Sequence, residues 1–530
     1  MTAGAQTAAR TTASNGLYRI AGTVVNAASG EPIRHAAVAA LSEEDSHTVA
    51  AVESDGDGHF LLERLPAAKY QLTASKRGFR TAFYDEHDEY NSAIVTGPGQ
   101  DTEHLSFRLV PGSVLHGVVI TDGGDPVEGA RVMLFQKSRD GRPGGRIEQS
   151  DTASTDDTGA YEFNNLAAGE YLLAVTAEPW YALHRPAGQT HEAAGEDDPA
   201  AALDVAYPVT YYDSTTDEGS ANRIVLGGGN RVEADLTLHA TPALHITVET
   251  PRKADGSIAR AELRQTIFGT VVAAESAGFL DAMQTGTTEF TGVAPGRYEL
   301  AQGDPPRIVE LDAAANQQVD PAQGTPTVAV HGTLVKAPGM AFTDDCMLTL
   351  ESTNAGRGQS PIQTPCIRGG FNFTNVPPGQ WQLLAESAGR QLPVASVATG
   401  GHIRAGNMIT VQDRPVSMVV AISQGASRVT GFATKDGKGV AGVMMVLAPR
   451  NLNAMESLAR RDQSDSDGSF SLRDVVPGQY TLVAIEDGWT LDWAEPEVIA
   501  RYLPGGLAVT VTDNSGKLVS LPSPVPVQLR

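Results

Sequence analysis

One strand–turn–strand phrase returns five times along this chain, and it restricts the possible folds more than any other feature. Its clearest copy runs Phe373-Thr-Asn-Val-Pro-Pro-Gly379-Gln-Trp381-Gln-Leu-Leu-Ala385. The other copies span Phe60 to Tyr70, Phe163 to Tyr171, Phe290 to Tyr298 and Phe470 to Tyr480. Apolar residues at every second position turn one face of each strand toward a core. Pro295-Gly296, Pro378-Gly379 and Pro477-Gly478 between the strands suit a type II turn, with Gly at the positive φ of the third residue. The first copy has Ala67-Ala68 there and needs a different turn. A hairpin cannot bury its own apolar face, so each copy demands a domain built around it.

The aromatic anchors Tyr70, Tyr171, Tyr298, Trp381 and Tyr480 recur at intervals of about 100 residues. That spacing is too long for a solenoid and suits independent sandwiches. A chain of 530 residues also exceeds what one hydrophobic core organises. The expected fold is all-β: an elongated tandem array of five antiparallel β-sandwiches over residues 17–111, 112–241, 242–327, 328–423 and 424–530. Residues 1–16 are small and polar and read as a disordered tail. Most units open on a strand carrying a glycine, at Gly22, Gly117, Gly332 or Gly431. In three units an acidic turn, Ser54-Asp55, Thr155-Asp156 or Ser464-Asp465, leads into the hairpin. The third unit lacks that turn and reads as degenerate, short of strands. Its opening is Leu244-His-Ile-Thr-Val248.

The order of these signals resembles the carboxypeptidase regulatory-like domain. Gly22-Thr-Val24, Gly30-Glu-Pro32-Ile-Arg-His-Ala36-Ala-Val38, the acidic turn and the hairpin phrase carry the resemblance. It is strong in units 1, 2 and 5, moderate in unit 4 and weak in unit 3. The resemblance implies an Ig-like, transthyretin-like sandwich of the carbohydrate-binding-like class. Such domains occur as peptidase appendages, as modules of secreted bacterial proteins and ahead of outer-membrane receptor plugs. Fold alone does not transfer an activity.

Composition narrows the partners. The net charge of −24 opposes nucleic acid and anionic lipid. No apolar run reaches the ~18–20 residues of a membrane helix. The N-terminus has neither a basic start nor an apolar stretch, so no signal peptide is visible. Cys346 and Cys366 are the two cysteines, and both a single bridge and a pair of buried thiols remain open.

The chemistry is sparse. Ala274-Glu-Ser276-Ala-Gly278 and Ala385-Glu-Ser387-Ala-Gly389 imitate nucleophile elbows but lack the strand–turn–helix context that an elbow requires. His116, His245 and His331 share one strand position in separate units, which reads as solvent-facing rather than metal-binding. The acidic turns offer oxygen ligands, yet the glutamate that completes a calcium loop is missing. Unit 2 carries a long insertion whose aromatics, Trp180, Tyr181, Tyr207, Tyr211 and Tyr212, are the candidate ligand-binding residues, against a bland reading as a satellite core. The expectation is a non-enzymatic, extracytoplasmic structural or adhesive protein. It needs no cofactor, and its partner is a protein or a second copy. Carbohydrate binding is the alternative, and a peptidase-associated regulatory module is the weaker one.

Overall fold

The computed structural model describes residues 17–43, 45–137, 147–184, 201–250, 258–276, 286–336, 346–353, 361–387, 390–423, 427–512 and 518–530. The proposed tail 1–16, the middle of the unit 2 insertion and the ends of both elbow-like motifs lie outside these residues.

The repeated phrase forms a hairpin arm in every unit, and all five share one local device. The aromatic anchor sits buried on the second strand, and its polar tip reaches back four residues to a carbonyl. Tyr70 Oη donates to Pro66 O (3.0 Å), Tyr171 to Ala167 O (2.9 Å), Tyr298 to Ala294 O (2.8 Å) and Tyr480 to Val476 O (2.7 Å). In unit 4, Trp381 Nε1 makes the same bond to Pro377 O at 3.0 Å. A tyrosine corner of this kind lets an aromatic fill the core while satisfying a turn carbonyl that no ladder reaches.

The turn chemistry differs from the type II assignment. Gly296 and Gly379 are close to extended, at φ 159°. The left-handed residue comes earlier, at Arg64, Asn165, Gly292, Asn375 and Asp474, with φ between 56° and 71°. At each of these the register between the hairpin's first strand and the unit's opening strand shifts. The left-handed residue therefore makes a β-bulge, which re-aims the next apolar side chain into the core.

Every unit then follows one topology. Its opening strand lies antiparallel to the hairpin's first strand and parallel to the unit's last. In unit 1, Tyr18–Asn26 is flanked by His59–Leu65 and Leu105–Leu109. In unit 4, Val328–Lys336 is flanked by Gly370–Val376 and Val416–Ile422. The opening glycines have a cause here. A Cβ on Gly117 would lie 2.3 Å from Ala234 O, and one on Gly332 would lie 2.1 Å from Met418 O. In these units the glycine admits a carbonyl from the end of the unit, whereas Gly431 makes room for the Phe470 ring. A second sheet packs over this one, as Thr48–Glu53, Ala37–Ser42 and Lys69–Ser75 do in unit 1. Each unit has its own apolar core between the sheets. With first and last strands parallel, the chain enters a sandwich at one end and leaves at the other.

One further expectation needs correction. Unit 3 is degenerate in sequence but has full sheets of three and five strands, because Pro306–Ala313 pairs antiparallel with the hairpin's second strand. In unit 5, Val525–Leu529 joins both sheets. Val525 and Pro526 pair with Ala433 and Thr434, then Val527 to Leu529 pair with Ala484 to Glu486. A strand that changes partners midway pairs on one side at a time, which is how it accommodates a proline.

Candidate functional site

The acidic turns are built alike. In units 1 and 2 a buried hydroxyl pins the preceding segment: Ser54 Oγ donates to Ile33 O (2.7 Å), and Thr155 Oγ1 donates to Val127 O (2.6 Å). The next residue's carboxylate closes its own turn. Asp55 accepts the N–H groups of Asp57 and His59, and Asp156 accepts those of Thr158 and Ala160. These aspartates are hairpin residues engaged with backbone. Among the described residues, no group of three or more metal-binding side chains converges.

Unit 5 uses the same turn differently. Ser464 keeps its pinning role, with Oγ donating to Val440 O at 2.7 Å, but Asp467 now accepts Ser469 N (2.9 Å). Asp465 is released to face unit 1. Its Oδ1 accepts Ala93 N at 2.9 Å, and its Oδ2 pairs with Lys69 Nζ. Around it, Ser466 N donates to Ala93 O (2.9 Å), Val95 N to Ser466 Oγ (2.8 Å) and Ser92 Oγ to Ser464 O (2.9 Å). Gln463 Nε2 bonds Ser92 Oγ at 2.9 Å, and Arg461 Nη1 bonds Asp88 Oδ2 at 3.0 Å. His87 stacks on Trp489 with ring centroids 5.0 Å apart, and the Arg461 guanidinium lies over Tyr90, Trp489 and Trp493. The last sandwich thus grips an edge segment of the first. Burial pushes the Asp465 carboxyl up to about 6, against the pull of Lys69.

A cavity of about 670 Å³ opens beside this clasp, where units 1, 4 and 5 meet. Gln71 and Tyr90 come from unit 1, Gln382 and Asn407 from unit 4, and Arg461, Asp462, Ser471 and Trp493 from unit 5. Its walls hold buried charge. Burial pushes the Asp462 carboxyl upward and pulls the Arg460 guanidinium down from its usual value. Burial also pushes the Tyr90 phenol up to about 12, helped by Glu89. No sequence motif marked this cavity, since its walls come from three units far apart in the chain.

The residues selected from sequence lie elsewhere. Tyr207 belongs to the core of unit 2 at 6% exposure. Tyr211, 4% exposed, packs with Ile267 of unit 3 and sits edge-on to Phe268, 5.1 Å away. Tyr212 packs half-buried against the unit 2 core. These three are not free to meet a ligand: Thr210–Tyr211 adds to the second sheet of unit 2, and unit 3 covers it. Trp180 is 94% exposed, with Tyr181 edge-on at 5.7 Å and the exposed Leu183 nearby in the chain. His245 also departs from the solvent-facing expectation. It bonds Asp204 Oδ2 (2.7 Å) and Glu289 Oε1 (2.8 Å), while His184 shares Asp204 at 3.2 Å, so this chain of ion pairs ties the insertion to unit 3. Cys346 and Cys366 face each other across adjacent strands, Cα atoms 5.2 Å apart, and are bonded as a disulfide. Ser387 ends an antiparallel strand, paired with Cys346 and Arg390, and is no elbow serine.

Family comparison agrees with this architecture. Residues 19–110 and 114–194 match the carboxypeptidase regulatory-like domain, and residues 427–502 match the second β-sandwich domain of the BOS complex subunit NOMO1-like family. No curated protein matches the chain. Among solved structures, the Bacillus anthracis TIE protein aligns at 12% identity over 78% of this chain and 76% of its own, with a TM-score of 0.18. A minor pilin of Streptococcus agalactiae aligns at 14% identity over 42% and 97%, with a TM-score of 0.21. Two B repeat units of the Staphylococcus aureus collagen-binding protein align at 9% identity over 77% and 100%, with a TM-score of 0.13. The chain is thus a multi-domain β-sandwich protein whose first two sandwiches are similar to the carboxypeptidase regulatory-like domain.

Proposed function

We propose that this chain is a non-enzymatic, extracytoplasmic structural and adhesive protein that works through protein contacts, a second copy of itself included. The observation that carries this reading is the clasp of unit 5 on unit 1. A turn that elsewhere serves only its own hairpin has been redirected to fix the ends of the array together. Rigid tandem sandwiches of this kind present surfaces at set distances, which is the work of a scaffold. The disulfide in unit 4 supports an oxidising compartment, where cross-strand bridges persist. Trp180 supports a contact role, because exposed aromatics of this size anchor protein interfaces. Carbohydrate binding through the insertion retains only Trp180 and Tyr181 after burial removes its other aromatics.

Sedimentation of the full chain, with and without Trp180→Ser, tests the contact role. Concentration-dependent association that the substitution weakens is the expected result, and a chain monomeric at every concentration overturns self-association. Non-reducing mass spectrometry of protein from its native compartment tests the location, and free thiols at Cys346 and Cys366 count against it.

A further inference from the structure

The outer face of the first sheet of unit 4 differs from its counterparts. In units 1, 2 and 3 the corresponding face carries ion pairs: Arg19 with Glu63, Arg231 with Glu162 and His245 with Glu289. In unit 4 the ladder sets Ile403, Ala398, Val419 and Thr333 in one row across four strands, and Ala421 and Val335 in the next. Neither row holds a charged side chain. Ile403 is 76% exposed, Val335 48% and Val419 43%. Single exposed aliphatics are ordinary, but three in two adjacent rows form a continuous apolar patch, which marks a contact surface. His402–Ala405 is the outermost strand of this sheet and all four of its residues are exposed, so none of the described residues covers the patch from that side.

Charge selects the occupant. The chain carries a net charge of −24, and residues 112–241 alone hold 8 Lys and Arg against 21 Asp and Glu. Two copies therefore repel each other over most of their surface. Residues 328–423 hold six Lys and Arg against five Asp and Glu, a net of +1, and unit 4 is the one sandwich of the five that is not acidic. A second copy can approach there without like-charge repulsion. A strongly charged foreign partner finds nothing on the face to pair with. An uncharged, flat sheet face is also complementary to itself under two-fold rotation.

From this we infer that the outer sheet face of unit 4 is a homotypic contact, on which two copies pack about a two-fold axis. Ile403, Val419 and Val335 lie at its centre, and the two sheets stack about 10 Å apart. The inference rests on the self-association proposed above and names a surface for it, separate from Trp180 in unit 2. Four strands at ~4.8 Å spacing make the patch about 15–20 Å wide. That is less than the ~800 Å² per partner of a stable interface, so the pairing is weak, with Kd of about 10–100 μM.

Sedimentation velocity of the full chain from about 5 to 300 μM tests it. Dimers should appear with rising concentration, and added salt should strengthen them, because it screens the repulsion between acidic copies without weakening an apolar contact. Val419→Glu and Ile403→Glu each put a carboxylate on the face and should weaken association about tenfold or more. Ile403 stands on the outermost strand, so its variant carries the test if Val419→Glu fails to melt like the parent chain. Leu61→Glu adds the same charge to the half-exposed outer face of unit 1 and should leave association unchanged. A chain that is monomeric at every concentration and salt overturns both this inference and the self-association on which it rests. Association that both folded unit 4 variants leave intact, or that Leu61→Glu weakens equally, overturns this inference alone.

Discussion

At the residue scale, the five aromatic anchors show why Tyr or Trp, and never Phe, stands at that position. The ring fills a core, but the carbonyl four residues upstream needs a donor that only a polar-tipped aromatic supplies. Tyr480→Phe keeps the ring and orphans Val476 O. The expected loss is about 1–2 kcal/mol, read as a lower melting temperature of the full chain. A similar melting temperature would mean that water replaces the hydroxyl there. His245 makes a second case. Burial alone would depress its pKa, but the hydrogen bonds to Asp204 and Glu289 outweigh that and raise it. A histidine with a raised folded pKa contributes stability that is full below its unfolded value of about 6.5. That contribution disappears as pH rises through the raised folded value. Urea denaturation from about pH 5.5 to 8.5 should show this loss, and His245→Gln should flatten it. An unchanged pH slope in the variant would remove His245 from the account.

Among the elements, the bulge before each hairpin turn matters more than the Pro-Gly step. Asn375 occupies the left-handed position at φ 62°. Asn375→Val should destabilise unit 4 by about 1–3 kcal/mol, whereas Asn375→Gly should be close to neutral. If chemical denaturation finds both substitutions neutral, the bulge is not strained in the way its geometry implies. The bulge was hidden in the sequence because its residues share no side-chain chemistry: Arg64, Asn165, Gly292, Asn375 and Asp474 have only a backbone conformation in common. The opening glycines were visible as a repeat, but their cause, at Gly22, Gly117 and Gly332 a carbonyl approaching from the end of the unit and at Gly431 the Phe470 ring, depends on contacts far away in the chain. The buried serine or threonine before each acidic turn was legible as a residue and illegible as a role, since its acceptor lies in the preceding turn.

For the whole molecule the central fact is closure. Five sandwiches of ~100 residues in a straight line would span roughly 170 Å and give a radius of gyration near ~50 Å, while one compact globule of this length gives ~24 Å. With unit 5 held on unit 1, small-angle scattering should fall between these limits. Lys69→Met combined with Arg461→Ala removes the cations paired with Asp465 and Asp88 and should move the radius of gyration upward. A radius that starts at the straight-line value would show the clasp open in solution. The clasp also answers a hazard of open sandwiches. Edge segment 93–95 of unit 1 is capped by Ser466 and Asp465 of the same chain, so that stretch of unpaired backbone is not offered to strangers.

By itself the sequence determined the class of fold, the number of repeats and the five anchor residues. These follow from period-two apolar patterning and from local turn residues, which act over a few positions. It could not determine the clasp, the junction cavity or the burial of Tyr207 and Tyr211. Those arise from contacts between units, such as Lys69 with Asp465, in which no local pattern links the partners. Asp465 occupies the same turn position as Asp55 and Asp156, and only the presence of Ala93 and Lys69 beside it gives it a different task.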